Sequence, residues 1–284
     1  MFQAPESADS RVLVRPAAGS RALPPGGDKV VAVGSAAERW AGLQSGRGIP
    51  PEILAQAPRS PWGHDPADFT APDVPADTPS RDAGLALLGV SGTVIDVGCG
   101  GGDAAFALVG PLTHATGVDE QEDMLELFET GADIRGLPAR TVAGTWPEAA
   151  GEAGEADVVV SHHVLHNVVD LPPFLTALTE AANRGVVVEM LAEHPMAWLD
   201  PLWGRFHDLR RPEPATVDDA VAVLRELGLD PEVTTWDRER RHPHDPVWVT
   251  RRLCLPAERE PEVAEALRDV PPRTAQAATL VWNP

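Results

Sequence analysis

Short apolar runs rich in β-branched residues alternate with longer amphipathic stretches over the last two thirds of the chain. Each run is short and contains β-branched residues, as in parallel strands that are covered on both faces. The pattern therefore predicts an α/β sheet with helices on both sides. The predicted strands are 93–97, 115–118, 140–143, 157–161, 185–190 and 232–236, and the predicted helices between them are 102–109, 120–130, 172–182 and 217–227.

Two helix starts are marked by capping residues. Thr78 can accept an orphan amide and Pro79 has none to satisfy, so a helix is predicted from this pair to about Leu88. Thr216 and Asp219 have the spacing of a capping box at the start of helix 217–227. Nearer the carboxyl end, the predictions are a helix from Asp245 and Pro246, although residues 247–255 also alternate as in a strand, a helix at 262–269 and a closing strand at 279–282.

The first 77 residues lack this alternation of short apolar runs and amphipathic stretches. Residues 1–28 are rich in proline and glycine and predict a flexible leader. Residues 29–77 contain one short predicted helix at 36–43 followed by recurrent prolines from Pro50 onward, which predicts an irregular cap on a main domain at 78–284. A long connection at 194–215 predicts a substrate lid, with ordinary packing as the alternative. Its aromatic residues, and those of the cap, are Trp40, Trp62, Phe69, Trp198, Trp203 and Phe206.

The charge and composition of the chain argue against several kinds of partner and environment. The chain has 284 residues, and 43 acidic against 23 basic residues give a net charge of −20. Such a charge repels polyanions, so nucleic acid is not an expected partner. The start has no apolar signal, and no stretch approaches the ~20 apolar residues of a membrane span, so a cytoplasmic protein without membrane contact is expected. The two cysteines, Cys99 and Cys254, are expected to be reduced thiols.

The strongest chemical signal is a glycine loop at the end of the first predicted strand. Gly98, Gly100 and Gly102 follow Asp96 and open a helix, where backbone amides can approach a ligand closely. A dinucleotide fingerprint would need a third glycine where Asp103 stands, and this carboxylate would oppose a pyrophosphate. The loop therefore suits a ligand with an ammonium and a sulfonium group. A tight turn without any ligand is the alternative.

These residues resemble the motifs of class I methyltransferases, which use S-adenosylmethionine. The first motif, an acid followed by three alternate glycines, matches Asp96, Gly98, Gly100 and Gly102, and the acid that ends the second strand matches Asp119. The resemblance covers roughly residues 78–195, and the whole chain is similar to actinobacterial small-molecule members of the family. It implies a Rossmann-like, doubly wound sheet of seven strands, mostly parallel with the last strand antiparallel.

The resemblance also implies roles for the matching residues. Asp96 and the glycines would hold the methionine part of the cofactor, Asp119 would bind both ribose hydroxyls, and Met124 would line the adenine. Asp119 as a helix cap and Met124 as plain core are the alternatives. The remaining residues expected at the cofactor are Glu120, Thr145, Trp146 and Ser161.

Histidines follow the fourth and fifth predicted strands, where ligands of open α/β sheets bind. His163 and His194 are the candidates for a catalytic base, with Glu193 as a weaker one and surface histidines as the alternative. No metal is expected, because the histidines at 162, 163 and 166 lack a fourth ligand and orienting partners.

Methyl transfer to an oxygen or nitrogen atom of a small organic molecule is therefore the function that the sequence predicts. Two alternatives stay open. The chain could bind the cofactor as an interaction module without activity, or it could be a nicotinamide-dependent oxidoreductase, which Asp103 disfavours.

Overall fold

A seven-stranded sheet forms the centre of the computed structural model, which describes residues 35–62, 69–238, 245–270 and 275–284. The leader predicted at 1–28 lies outside these residues. The strand order is β3-β2-β1-β4-β5-β7-β6. The strands are β1 (Gly92–Val97), β2 (Leu112–Asp119), β3 (Ala139–Ala143), β4 (Ala156–His162), β5 (Ala182–Leu191), β6 (Glu232–Arg238) and β7 (Ala275–Trp282).

Strand direction follows the predicted pattern. Strands β1 to β5 are parallel to one another, and β7 is antiparallel to both β5 and β6. The prediction of a mostly parallel sheet with an antiparallel last strand is therefore confirmed. Several strands begin earlier than predicted, because pairs such as Gly92 with Leu112 and Ala156 with Ala182 extend the ladders beyond the apolar runs.

The helices begin where the capping residues predict. Thr78 accepts a hydrogen bond from the amide of Arg81, and the amide of Thr216 donates to the Asp219 carboxylate. Asp245 caps the amides of the helix that follows it, which excludes the alternative strand. The helices are α1 (Ser35–Ser45), α2 (Pro51–Leu54), α3 (Pro79–Leu88), α4 (Asp103–Phe106), α5 (Glu122–Ile134), α6 (Ala150–Ala153), α7 (Leu171–Glu180), α8 (Asp200–His207), α9 (Val217–Glu226), α10 (Pro246–Arg252) and α11 (Glu260–Leu267).

Helix α1 belongs to the core and not to an irregular cap. It packs against α7 and α9 on one face of the sheet, while α3, α4 and α5 cover the other face. Trp40 of α1 is fully buried in the core, and its indole N–H donates to the carbonyl of Val168. The short helix predicted at 36–43 is therefore present as α1, and it lies upstream of the recurrent prolines.

A hydrophobic cluster separate from those on the two faces of the sheet is also present, and we call it the helical lobe. It is built from α2, α8, α10 and α11, and its buried residues include Ile53, Trp203, Leu253 and Val263. The predicted lid at 194–215 is thus one of several chain segments that form the lobe. In the described part of the chain, no helix combines the length and apolar character that crossing a bilayer requires.

Candidate functional site

The glycine loop between β1 and α4 has a backbone that only glycine adopts easily. Gly98, Gly100 and Gly102 have φ angles of 70°, 49° and 87°. At Gly98 a Cβ would also collide with the side chain of Val164, which follows β4. The amide of Gly98 donates to the carbonyl of Val118 at 2.8 Å, so the loop is tied to the end of β2. The sequence therefore fixes a tight concave turn at the carboxyl edge of the sheet.

Asp119 is placed directly on this loop. Its Oδ2 accepts a hydrogen bond from the amide of Gly100 at 3.0 Å, and its Oδ1 accepts from the amide of Gln121 at 3.1 Å. The side chain is partly exposed. A carboxylate fixed in this way can still accept bonds from a pair of hydroxyls, because each oxygen has more than one acceptor direction. The amide bonded to Oδ1 belongs to Gln121, the residue before α5, so this contact closes a turn ahead of the helix and does not cap it.

Asp96 has a buried position below the loop. It is 1% exposed, and its Oδ2 accepts from the amide of Ala105 at 3.0 Å. Burial raises the pKa of the carboxyl group well above its ordinary value, and the neighbouring Asp103 and Asp119 add to the increase. Asp96 therefore fixes α4 behind the loop, and its contact with a ligand stays a prediction.

Residues 69–72, which we call the strap, lie on the glycine loop. Thr70 forms an isolated parallel bridge with Gly101, and a Cβ at Gly101 would run into the carbonyl oxygen of Phe69. Arg135, which directly follows α5, fastens the strap by donating to the carbonyl of Pro72 at 2.8 Å. The Phe69 ring is 37% exposed beside the loop. Sequence reasoning missed the strap as part of this site, because no local pattern marks which loop it contacts.

In two predicted cofactor residues, Ser161 and Trp146, the polar side-chain group donates a hydrogen bond to a backbone carbonyl of the protein. The Ser161 side chain is fully buried, and its hydroxyl donates to the carbonyl of Val97 across β4 and β1. The Trp146 indole N–H donates to the carbonyl of Phe174 at 3.3 Å. Neither of these side-chain groups is therefore available for a polar contact with a ligand.

The other predicted cofactor residues follow Asp119 or β3. Met124 lies in α5 and is 2% exposed, whereas Glu120 and Thr145 are exposed. The Thr145 hydroxyl donates to Glu148 at 2.9 Å. Their contacts with a cofactor stay predictions.

His163 directly follows β4, at the same carboxyl edge of the sheet as the glycine loop. Its backbone amide donates to the carbonyl of Glu189 at 2.7 Å, and its φ angle is 62°. Nε2 lies 3.0 Å from Oε1 of Glu189 and 2.5 Å from Nη1 of Arg238. The side chain remains 34% exposed. The structure thus places the ring at the carboxyl edge, between a carboxylate and a guanidinium.

Glu189 is a buried charge in the middle of the sheet. It pairs with His162 in β4 and with Thr279 in β7, and it is 4% exposed. Burial alone would raise its pKa, but the hydrogen bond from His163 and the charges of His162 and His163 lower the pKa to about 2. Burial lowers the pKa of His162 to about 4. Sequence reasoning gave Glu189 no role, although a glutamate within the apolar run 185–190 was the available signal.

His194 has different surroundings. Its Nδ1 accepts the amide of Met196 at 3.1 Å, and its ring meets the edge of His166 with centroids 5.2 Å apart. Burial, together with the charges of His166, Arg47 and Arg211, lowers the pKa of His194 to about 3. An imidazole with this pKa is neutral at pH 7 but is a weak base. The structure therefore favours His163 over His194 for proton removal.

The residues around the loop fit S-adenosylmethionine. Glycines supply the close backbone approach, and a fixed, partly exposed Asp119 suits a ribose diol. Asp103 lies at the start of α4, where a phosphate would otherwise be favoured. Across the described ranges, no three His, Cys, Asp or Glu side chains are arranged to hold a metal ion.

Residues 94–185 match the family described as a methyltransferase domain. Curated relatives are ubiquinone biosynthesis O-methyltransferases. The protein of Brucella anthropi is 27% identical over 168 residues, 52% of this chain and 67% of that protein. The protein of Escherichia coli O9:H4 is 31% identical over 44% of this chain and 53% of that protein. The protein of Methylobacterium nodulans is 34% identical over 33% of this chain and 37% of that protein.

The chain thus spans between 37% and 67% of the length of these three relatives. Solved structures show the same fold. A candidate methyltransferase from Bacillus halodurans C-125 superposes with a TM-score of 0.53 at 14% identity, covering 72% of this chain and 98% of that one. The YcgJ protein of Bacillus subtilis gives a TM-score of 0.50 at 16% identity, covering 72% and 96%.

Proposed function

We propose that this protein uses S-adenosylmethionine to methylate a small organic molecule at oxygen or nitrogen, because residues 94–185 match the methyltransferase-domain family. The observation that carries the proposal is the glycine loop with Asp119 bonded to the amide of Gly100. This arrangement joins a close backbone approach to a fixed acceptor for hydroxyl groups.

Each part of the site has a distinct task in this proposal. Asp119 accepts hydrogen bonds from the two ribose hydroxyls. The loop glycines hold the methionine part of the cofactor, and Met124 lines the adenine. When bound, S-adenosylmethionine supplies an activated methyl group on a sulfonium. The chain's own contribution is to align the acceptor atom and to remove its proton.

His163 is the base in this proposal. It lies at the carboxyl edge of the sheet, its ring is partly exposed, and an ionised carboxylate lies 3.0 Å from Nε2. A carboxylate beside an imidazole stabilises the imidazolium that forms when the ring takes a proton. His194 has no such partner among the contacts described above, and burial works against its protonation.

Two observations support a small molecule as the substrate. The relatives that share the domain are O-methyltransferases, which favours oxygen as the acceptor atom. A net charge of −20 opposes binding to nucleic acid. The second candidate, a cofactor-binding module without activity, would keep the loop and Asp119 but transfer no methyl group.

The first test of the proposal is cofactor affinity by calorimetry. Each charge-assisted bond contributes about 1.5–3 kcal/mol, so Asp119→Ala should weaken S-adenosylmethionine binding by about one to two orders of magnitude or more. Glu122→Ala is the matched control, since Glu122 is an exposed carboxylate in the first turn of α5. Unchanged affinity in Asp119→Ala would remove this residue from the site.

The second test is incorporation of a labelled methyl group from S-adenosylmethionine into a panel of small phenols, other alcohols and amines. Incorporation supports the enzyme, and the methylated atom follows from the product. Cofactor binding without incorporation across the panel would favour the silent binding module.

A further inference from the structure

The partners of His163 determine which of its ring nitrogens can accept a proton. Nε2 lies within hydrogen-bond distance of both Oε1 of Glu189 and Nη1 of Arg238. A neutral imidazole has a proton on one nitrogen and a lone pair on the other. Nε2 therefore cannot donate to Glu189 and accept from Arg238 at the same time, so the two residues compete for it.

The two competitors are not held equally. Glu189 lies inside β5, which pairs with a strand on each side, and its carbonyl also accepts the backbone amide of His163. The hydroxyl of Ser80 in α3, which lies 2.7 Å from the Thr279 hydroxyl, lowers the pKa of the same carboxyl group. Arg238 is the last residue of β6, at the edge of the sheet. Two contacts from a central strand therefore fix His163 more firmly than one contact from the end of an edge strand.

The backbone of His163 supports a positioning role for Glu189. A left-handed conformation is unfavourable for a residue other than glycine, and it persists where neighbouring contacts enforce it. At His163, with φ at 62°, the enforcing contact is the 2.7 Å bond from its amide to the Glu189 carbonyl. One residue thus holds both the backbone and the ring of the candidate base.

We propose that Glu189 is a positioning residue that keeps the proton of neutral His163 on Nε2, so that Nδ1 presents the lone pair, whereas Arg238 favours the opposite tautomer. The inference rests on the proposed function, in which His163 removes the proton of the methyl acceptor. That proton moves to Nδ1 as the acceptor atom bonds the methyl carbon. The bond from this carbon to the donor sulfur breaks, and its electron pair stays on sulfur. The imidazolium then releases its proton to water.

Charged groups near His163 set the direction of the expected effects. Burial lowers the pKa of both His162 and His166 to about 4, so they are neutral near pH 7, and Asp103 acts on His162. Glu189 and Arg238 remain as the groups of opposite charge at Nε2. The carboxylate favours protonation of His163, and the guanidinium opposes it.

The experiment is ¹⁵N NMR of the histidine rings in the protein without cofactor. It reports the tautomer and the titration midpoint of His163 independently of any substrate. We expect Glu189→Gln to reduce the Nε2–H population and to move the midpoint to lower pH by about one unit. Arg238→Gln should change both quantities in the opposite sense.

Asp157→Asn is the matched control. Asp157 is a carboxylate of β4 at the opposite end of the sheet, where it pairs with Arg184 at 2.9 Å. Its replacement should change stability but not the His163 signals. If Glu189→Gln and Arg238→Gln both titrate like wild type at His163, the inference is wrong.

Kinetics separate this inference from the proposed function. Glu189→Gln should lower kcat about 10-fold or more and move the acid limb of the pH–rate profile to lower pH. The affinity for S-adenosylmethionine should stay within a factor of about two. Altered NMR signals without methyl transfer to any substrate would count against the proposed function alone. Methyl transfer with wild-type signals in both variants would count against Glu189 alone.

Discussion

Individual histidines of this chain differ in what their surroundings allow. His163 has an ionised carboxylate at 3.0 Å and a partly exposed ring, whereas burial and nearby cations lower the pKa of His194 to about 3. A general base works best when its pKa is near the working pH. His163 and His194 therefore differ in how well their surroundings support a role as a base, although they follow neighbouring strands.

The two histidines can be ranked by substitution. His163→Ala should lower kcat by about 10²–10⁴-fold, the usual loss when a general base is removed. His194→Ala should lower kcat much less, because a ring with so low a pKa contributes little as a base. The measurement is kcat for each variant with a substrate found in the labelled-methyl assay. A larger loss in His194→Ala than in His163→Ala would reverse the assignment.

The glycine loop and the strap form one unit at the scale of structural elements. The loop leaves β1, Asp119 at the end of β2 accepts the amide of Gly100 in the loop, and the strap lies against Gly101. Arg135 ties the strap to α5. Because the contact at Gly101 is with backbone, the strap cannot yield by moving a side chain alone.

Gly101→Ala tests this contact. The added methyl group would collide with the carbonyl oxygen of Phe69, so we expect a loss of about 1–3 kcal/mol in the free energy of unfolding. S-adenosylmethionine affinity should fall as well. Gly110→Ala is the control, since a Cβ at Gly110 meets open space. Urea unfolding and calorimetry measure both effects, and equal behaviour of the two variants would contradict the packing argument.

Buried histidines make the whole molecule sensitive to acid. Burial lowers the pKa of His166 to about 4, below the ordinary value of 6.5. Between pH 4 and pH 6.5, His166 therefore binds a proton in the unfolded chain but not in the folded chain. The resulting contribution to stability is complete above pH 6.5 and is lost as the pH falls toward 4. His162 and His194 act in the same direction, with pKa values of about 4 and 3.

His166→Gln isolates one part of this effect. Relative to wild type, the variant should gain stability as the pH falls from 6.5 to 4, because it has no proton to bind on unfolding. The limiting slope is about 1.4 kcal/mol per pH unit. Urea unfolding at several pH values measures it, with His114→Gln on β2 as the control for the substitution itself. A stability difference between wild type and His166→Gln that does not vary with pH would exclude this source of acid sensitivity.

The sequence by itself determined the strands, the helix starts and the glycine loop. These features depend on neighbours within a few residues: continuous apolar runs, a hydroxyl before a proline, or glycines that follow a buried strand. The position of Asp119 at the end of the second strand also belongs here, whereas its bond to the amide of Gly100 is a finding of the structure.

Only the tertiary structure decided which distant side chains meet. Arg238 reaches His163 over 75 positions of sequence, and Trp40 enters the core beside Val168 over 128. The helical lobe likewise gathers α2, α8, α10 and α11 from separate parts of the chain. Such contacts depend on strand register and helix packing, which local patterns do not encode. For that reason Glu189 is a candidate positioning residue only in the folded sheet, where β5 pairs with β4 and β7 separates β5 from β6.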